Sequence, residues 1–287
     1  MESDVLLNKL FTVNSFNSLV FKNRNQTYLK AIEDILGNTG ASETNLKNFQ
    51  SLYHYMARSH RNEYFYKNAL LNKILLGRHS VRTSTAIREL PIANNILDFL
   101  IINGVGHVYE IKTELDKLDR LQNQIASYFE AFSFCTVVTD ETHLEAVREK
   151  IDQPQVGIMV LTKRNTLHVD RKAVENTNDL RHETMFKLLR KSEFETILLD
   201  EFGRLPEVNQ VEYYRTCLLW FQNINILKAQ QLVLKQLKLR GYINRDKQQL
   251  FDRVPSELKM LVYFSDYTQN DFDHLQAFLS HRIGDVV

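Results

Sequence analysis

The chain is poor in the residues that break or staple a fold. Four prolines and nine glycines in 287 residues leave little material for flexible linkers or collagen-like repeats and point to long, uninterrupted elements. The two cysteines, Cys135 and Cys217, both lie in apolar runs, which excludes a disulfide framework or a zinc ribbon and fits a reducing compartment. Neither sign of charge is in excess. Lys and Arg number 36 against 35 Asp and Glu, a formal charge of +1, so nonspecific coating of nucleic acid is excluded and any such contact must be local. No apolar run approaches the ~20 residues that cross a bilayer. The opening residues Met1–Asp4 have neither the basic nor the apolar region of a secretory signal. A soluble, cytoplasmic protein with no membrane partner is expected. Nine histidines are scattered without His-x-x-x-His spacing or a Cys/His cluster, which disfavours zinc, and no Gly-x-x-x-x-Gly-Lys-Ser/Thr loop offers a nucleotide cradle.

What is present is 44% hydrophobic and 25% charged, an ordinary globular balance, with three textures along the chain. Residues 1–57 read as an N-terminal helical segment, with pieces at 5–10 and 26–36 and a polar break at 37–43. Residues 58–171 read as an α/β core. In it a helix spans about 61–76 and ends at Gly77, and a strand covers 83–90, stopped by Pro91. Two β-branched strands, 95–102 and 107–112, flank the turn Asn103-Gly104-Val105-Gly106. Thr113, with Asp116 three residues on, is a candidate helix cap. The helix behind it aligns Leu118, Leu121, Ile125, Phe129 and Phe132, and a buried strand follows at 133–139. Strand, crossover helix and strand in that order imply parallel pairing of the outer two. A helix at 143–151 and a hairpin, 156–162 with 166–170, extend the layer. Residues 172–287 read as an all-helical region with helices at 179–198, 211–221, 227–239 and 272–281.

Chemistry concentrates in the first hairpin. A three-residue loop, 104–106, pairs Asn103 with His107 and Asp98 with Lys112. Alternation along strands then puts Asp98, Glu110 and Lys112 on one face, among Ile96, Leu100, Ile102 and Val108. A two-residue loop would send Asp98 to the other face. Two carboxylates are the donors that hard divalent cations such as Mg2+ or Mn2+ select. A metal so held polarises a phosphodiester and acidifies its bound water, and a neighbouring lysine orients that water.

These residues also carry a resemblance. Asp98, then Glu110-Ile111-Lys112 after eleven intervening residues, is similar to the Asp…Glu-x-Lys signature of the PD-(D/E)xK nuclease superfamily. The element order resembles that superfamily's αβββαβ, restriction-endonuclease-like core. Gln124-Ile-Ala-Ser-Tyr128 resembles the Gln-x-x-x-Tyr motif of its exonuclease-like branch, two side chains on one helical face. The stretch from Tyr109 to Tyr128 resembles a bacterial nuclease-like family carrying that motif, and Glu63 matches the position of an acid that completes the metal site. Leu97 stands where the signature has proline. The resemblance implies a Mg2+- or Mn2+-dependent deoxyribonuclease. Asp98, Glu110 and Glu63 would hold metal, Lys112 would position water, and Gln124 and Tyr128 would reach the DNA backbone or brace the metal site as part of the catalytic group. Lys117 and Arg120, flanking that site, would meet DNA.

Bland readings stand beside these. Glu63 can pair with Lys67 on its own helix, Glu89 is an edge-strand charge, His107 caps the turn, and Cys135 is core. Lys228, Lys235, Lys238 and Arg240 form a solvated helix face. The neutral net charge leaves room for a protein partner that supplies the grip on DNA. It also supports a different function: a catalytically silent nuclease-like fold acting as a nucleic-acid-binding or protein-interaction module.

Overall fold

Helices open the chain, as its scarcity of glycine and proline implies. In the computed structural model, which describes residues 2–22, 26–37, 40, 42–241, 243 and 245–283, these are α1 (Glu2–Leu10), α2 (Val13–Lys22), α3 (Gln26–Ala31), α4 (Asn45–Ser59) and α5 (Glu63–Leu70). A π-type turn prolongs α3 over Ile32–Leu36 and α5 over Leu71–Leu76. The expected polar break at 37–43 falls partly on residues 38, 39 and 41, outside the described residues. The side chains of Thr44 and Asn62 start α4 and α5 by accepting from the first-turn amides of Lys47 and Phe65. Phe49 anchors the aromatic core here, edge-on to Phe11 and Phe16 and stacked on Tyr28.

The β-branched middle of the chain forms β1 (Thr85–Ile92), β2 (Asn95–Asn103), β3 (Val105–Ile111), α6 (Leu121–Phe129), β4 (Phe134–Thr139), α7 (Leu144–Lys150), β5 (Gly157–Leu161) and β6 (Leu167–Arg171). The six strands make one open sheet in sequence order. β1–β2–β3 are antiparallel, β3, β4 and β5 run parallel, and β6 returns antiparallel. The parallel joins need crossovers, which α6 and α7 supply. The fold is a mixed α/β architecture with flanking helices.

Three expectations need correction. β1 runs through Pro91 to Ile92, because an edge strand does not need the missing amide on its open side. The β2–β3 pairing is Asn103↔Val105 and Leu100↔Val108, leaving Gly104 alone as the connection at φ +74°. The register therefore slips by two residues from the expected one. Strand faces alternate with period two, so a slip of two keeps every side chain on its expected face. Finally, Asp116 Oδ2 accepts from the Thr113 amide at 2.7 Å and its hydroxyl at 2.8 Å, but this closes only a turn; α6 begins at Leu121.

Beyond β6 come α8 (His182–Lys187), α9 (Lys191–Phe202), α10 (Gln210–Phe221) and α11 (Ile226–Lys238), so the expected helix at 179–198 is two helices. They bury Phe186, Ile197, Phe221 and Val233 in the same core as Leu100, Val108, Val137 and Ile158 of the sheet. Residues 83–241 thus form one compact unit. The second comprises residues 1–82 with 242–287, whose last helices are α12 (Arg245–Asp252), α13 (Lys259–Tyr263) and α14 (Gln269–Ser280). These units cut across the textures that divide the sequence at 57/58 and 171/172. Among the described residues, no helix is long and apolar enough to cross a membrane.

Candidate functional site

Asp98, Glu110 and Lys112 meet where β2 and β3 part. Pairing ends at Phe99↔Tyr109. Beyond it the Asp98 carboxylate takes the role of a strand carbonyl: the Ile111 amide donates to its Oδ2 at 2.7 Å. The Lys112 amide is held from the other side by Val138 O at 2.9 Å.

Glu110 is completely buried, and both its oxygens are taken. Lys112 Nζ donates to Oε1 at 2.6 Å, and Tyr128, reaching down from α6, donates its hydroxyl to Oε2 at 2.6 Å. Ile96 O lies 3.2 Å from the same hydroxyl and ties the ring to β2. Burying the pair costs several kcal/mol per ion, offset only where geometry and further hydrogen bonds are good, as here. Burial and then the Glu110 charge push the Tyr128 phenol far above its ordinary range. The same two causes raise the Cys135 thiol on β4, a core residue as expected and inert.

This geometry overturns the expected metal centre. Among the described residues, no group of three or more His, Cys, Asp or Glu side chains could hold a metal ion. Asp98 is bound to the backbone, Glu110 is closed between an ammonium and a phenol, and Glu63 pairs with Lys67 one turn along α5. A hard cation needs several oxygens free to converge, and these are committed elsewhere. The donor set does not fit Mg2+ or Mn2+, and the reading of the chain as a metal-dependent deoxyribonuclease falls with it.

The other candidates are placed as follows. Gln124, one turn before Tyr128 on α6, has its Oε1 buried without a hydrogen-bond partner. Lys117 and Arg120 are exposed in the loop leading to α6. That end of the sheet also carries Glu114, Asp116, Asp119, Asp140 and Glu141, with Lys163 and Arg164 of the β5–β6 turn beside Glu141, so acids and cations are interspersed there. Such a balance does not attract a phosphate backbone. Glu89 is exposed beside Arg88, with a left-handed backbone at φ +52°. His107 does not cap the turn. Its Nε2 meets Thr136 Oγ1 at 2.7 Å, its ring stacks on Tyr109 at 4.4 Å, and desolvation pushes its pKa down to about 4. In the helical tail Lys228 pairs with Glu201 at 2.6 Å, and Arg240 pairs with Glu193.

A surface that sequence reasoning passed over lies on α9 and α10. Phe194 packs against Tyr214 and Phe202 against Trp220, so the two helices run in the same direction and residues 203–209 return between them. Leu199 is 46% exposed, Phe202 40%, Leu219 52% and Val211 93%. The signal was the interleaving of large apolar residues with acids in Leu198-Leu199-Asp200-Glu201-Phe202, which fits neither a buried nor an ordinary polar helix face.

Comparison with known proteins bears on ancestry alone. No curated protein matches the chain. A solved structure, the SPO1766 protein of unknown function from Silicibacter pomeroyi, is similar at 14% identity over 42% of this chain and 82% of its own, with a TM-score of 0.28, too slight to carry an assignment. The profile of the family described as bacteriophage P4 protein cII matches residues 56–262. That match spans well over half of the chain, which therefore belongs to the bacteriophage P4 protein cII family.

Proposed function

We propose that the chain is a catalytically silent, nuclease-like fold that serves as a protein-interaction module. The nuclease-like part rests on the order α5-β1-β2-β3-α6-β4, the αβββαβ sequence of restriction-endonuclease-type cores. It rests also on Asp98, Glu110 and Lys112 sharing one face at the parting of β2 and β3. The silent part rests on the commitment of Asp98 to the Ile111 amide and of Glu110 to Lys112 and Tyr128. Their arrangement now fixes the end of the sheet.

The interaction role is carried by one observation: Leu199, Phe202, Leu219 and Val211 remain exposed on α9 and α10, while Phe194, Ile197, Leu198, Cys217 and Phe221 of the same helices are packed into the core. Scattered single apolar residues are ordinary, but a rimmed group on adjacent helices is what binding surfaces present. A neutral net charge favours a protein over a nucleic acid as the partner.

Cross-linking of the full chain in cells that make it, followed by mass spectrometry, tests this reading. Partner cross-links concentrated around 191–228 and lost in Phe202→Glu/Leu219→Glu are the expected result. Saturable, salt-sensitive binding of duplex DNA, unchanged in that variant, would replace it with a nucleic-acid-binding module. Metal-dependent cleavage of the DNA, lost in Lys112→Ala, would overturn the silent reading itself.

A further inference from the structure

The charges around the exposed face narrow the partner. Between Glu193 and Glu212 the chain carries Glu193, Glu195, Asp200, Glu201, Glu207 and Glu212 against a single cation, Arg204, in a protein whose formal charge is +1. Three of these acids are engaged: Glu193 with Arg240, Glu195 with Lys191 at 3.8 Å and Glu201 with Lys228 at 2.6 Å. Asp200, Glu207 and Glu212 are exposed and carry no ion pair among the described residues. They alternate with Leu199, Phe202, Val208 and Val211, every one of them at least 40% exposed. Arg204 is occupied over the Trp220 ring, 5.8 Å from its centroid, and Arg215 is an exposed cation on α10.

We infer that α9, α10 and the segment between them form a docking face for a basic amphipathic helix of a partner protein. The inference rests on the protein-interaction reading and specifies its partner. Large apolar side chains on such a helix would cover Leu199, Phe202 and Leu219, and flanking lysines or arginines would meet Asp200, Glu207 and Glu212. Apolar contact supplies affinity; the charges set orientation and reject acidic competitors, nucleic acid among them.

Trp220 makes the test direct. It is the chain's single tryptophan, it touches Phe202, and it is only partly buried. The full chain is titrated at low ionic strength with three synthetic peptides: an amphipathic Leu/Lys helix, its Leu/Glu counterpart, and a scrambled Leu/Lys peptide that has no apolar face. The Leu/Lys helix is expected to shift Trp220 emission saturably, and the other two to leave it unmoved. The variant Asp200→Lys/Glu207→Lys/Glu212→Lys, whose changes are all on the surface, should weaken binding about tenfold or more, the sum of three exposed charge reversals. Phe202→Ser should weaken it independently of salt.

Equal binding of the acidic or scrambled peptide, or affinity that ignores the triple reversal, overturns the proposal. If no peptide moves Trp220 while native cross-links still map to 191–228, the basic-partner inference fails and the interaction reading survives. If those cross-links are missing too, both fail.

Discussion

Two regions of the same unit dispose of their side chains in opposite ways. At the end of β3 the polar groups point inward. Glu110 and Lys112 sit at 0% and 8% exposure and bond to each other, although their residue types suggest chemistry. On α9 and α10 several apolar groups point outward, Val211 at 93% and Leu219 at 52%, although their residue types suggest core. Residue type alone would locate function at the first and packing at the second. Burial and hydrogen bonding reverse that assignment: a carboxylate such as Glu110, with both oxygens taken internally, has none left for a ligand, whereas an uncovered apolar side chain gains from any surface that removes it from water.

The strongest way to break this comparison is to take one partner from the closed polar ring. Lys112→Ala leaves Glu110 buried and without its ammonium, and a loss of about 3–5 kcal/mol in unfolding free energy is expected from urea denaturation. The double variant Glu110→Leu/Lys112→Met, which removes both charges at similar volume, should recover most of that loss. A Lys112→Ala protein as stable as the wild type would show that the pair is solvated and free to meet a ligand, and the contrast with the helical face would collapse.

Why one region was legible in the sequence and the other was not follows from the physics of each. The shared face of Asp98, Glu110 and Lys112 could be read because alternation along a strand depends only on parity. It therefore survived a two-residue error in the turn, where Gly104 does alone what three residues were expected to do. What each group bonds to could not be read. Tyr128 arrives from a helix after a connection, and the Ile111 amide is offered to Asp98 only because β2 and β3 diverge there. Asp116 illustrates a local limit: a carboxylate that satisfies the Thr113 amide looks the same in sequence whether a helix or a single turn follows. The exposed face on α9 and α10 was hidden for another reason. Its helices are apolar on two sides, and the sequence does not say which side the core takes.

A smaller effect sharpens the contrast from the opposite face of the sheet. His107 has its pKa pushed down from 6.5 to about 4 by desolvation, with Thr136 as its hydrogen-bond partner. The folded chain therefore holds this proton less tightly than the unfolded chain, and unfolding takes one up between about pH 6.5 and pH 4. The contribution to stability is complete above 6.5 and is lost as pH falls toward 4, by about 3–4 kcal/mol in all. Unfolding free energies measured across that window should slope upward with pH, and His107→Phe should flatten the slope whatever it does to the level. A slope that persists in the variant would assign the proton to another group and leave this ring solvated.

The smallest expected effect on the fold comes from the region proposed to matter most for association. Phe202 and Leu219 lose only part of their surface to the rest of the protein, and the contact of Phe202 with Trp220 is an edge contact between rings 5.5 Å apart. Substitutions at such positions ordinarily change stability by no more than about 0.5 kcal/mol each. Phe202→Glu/Leu219→Glu should therefore shift the urea midpoint slightly and leave the slope of the transition unchanged, while partner cross-links disappear. Two buried apolar residues replaced by carboxylates would behave otherwise, with a loss of several kcal/mol and a changed slope. A large loss of stability would mean that this face is core in solution, covered by the protein's own chain, and the distinction between an inward polar ring and an outward apolar face would no longer hold.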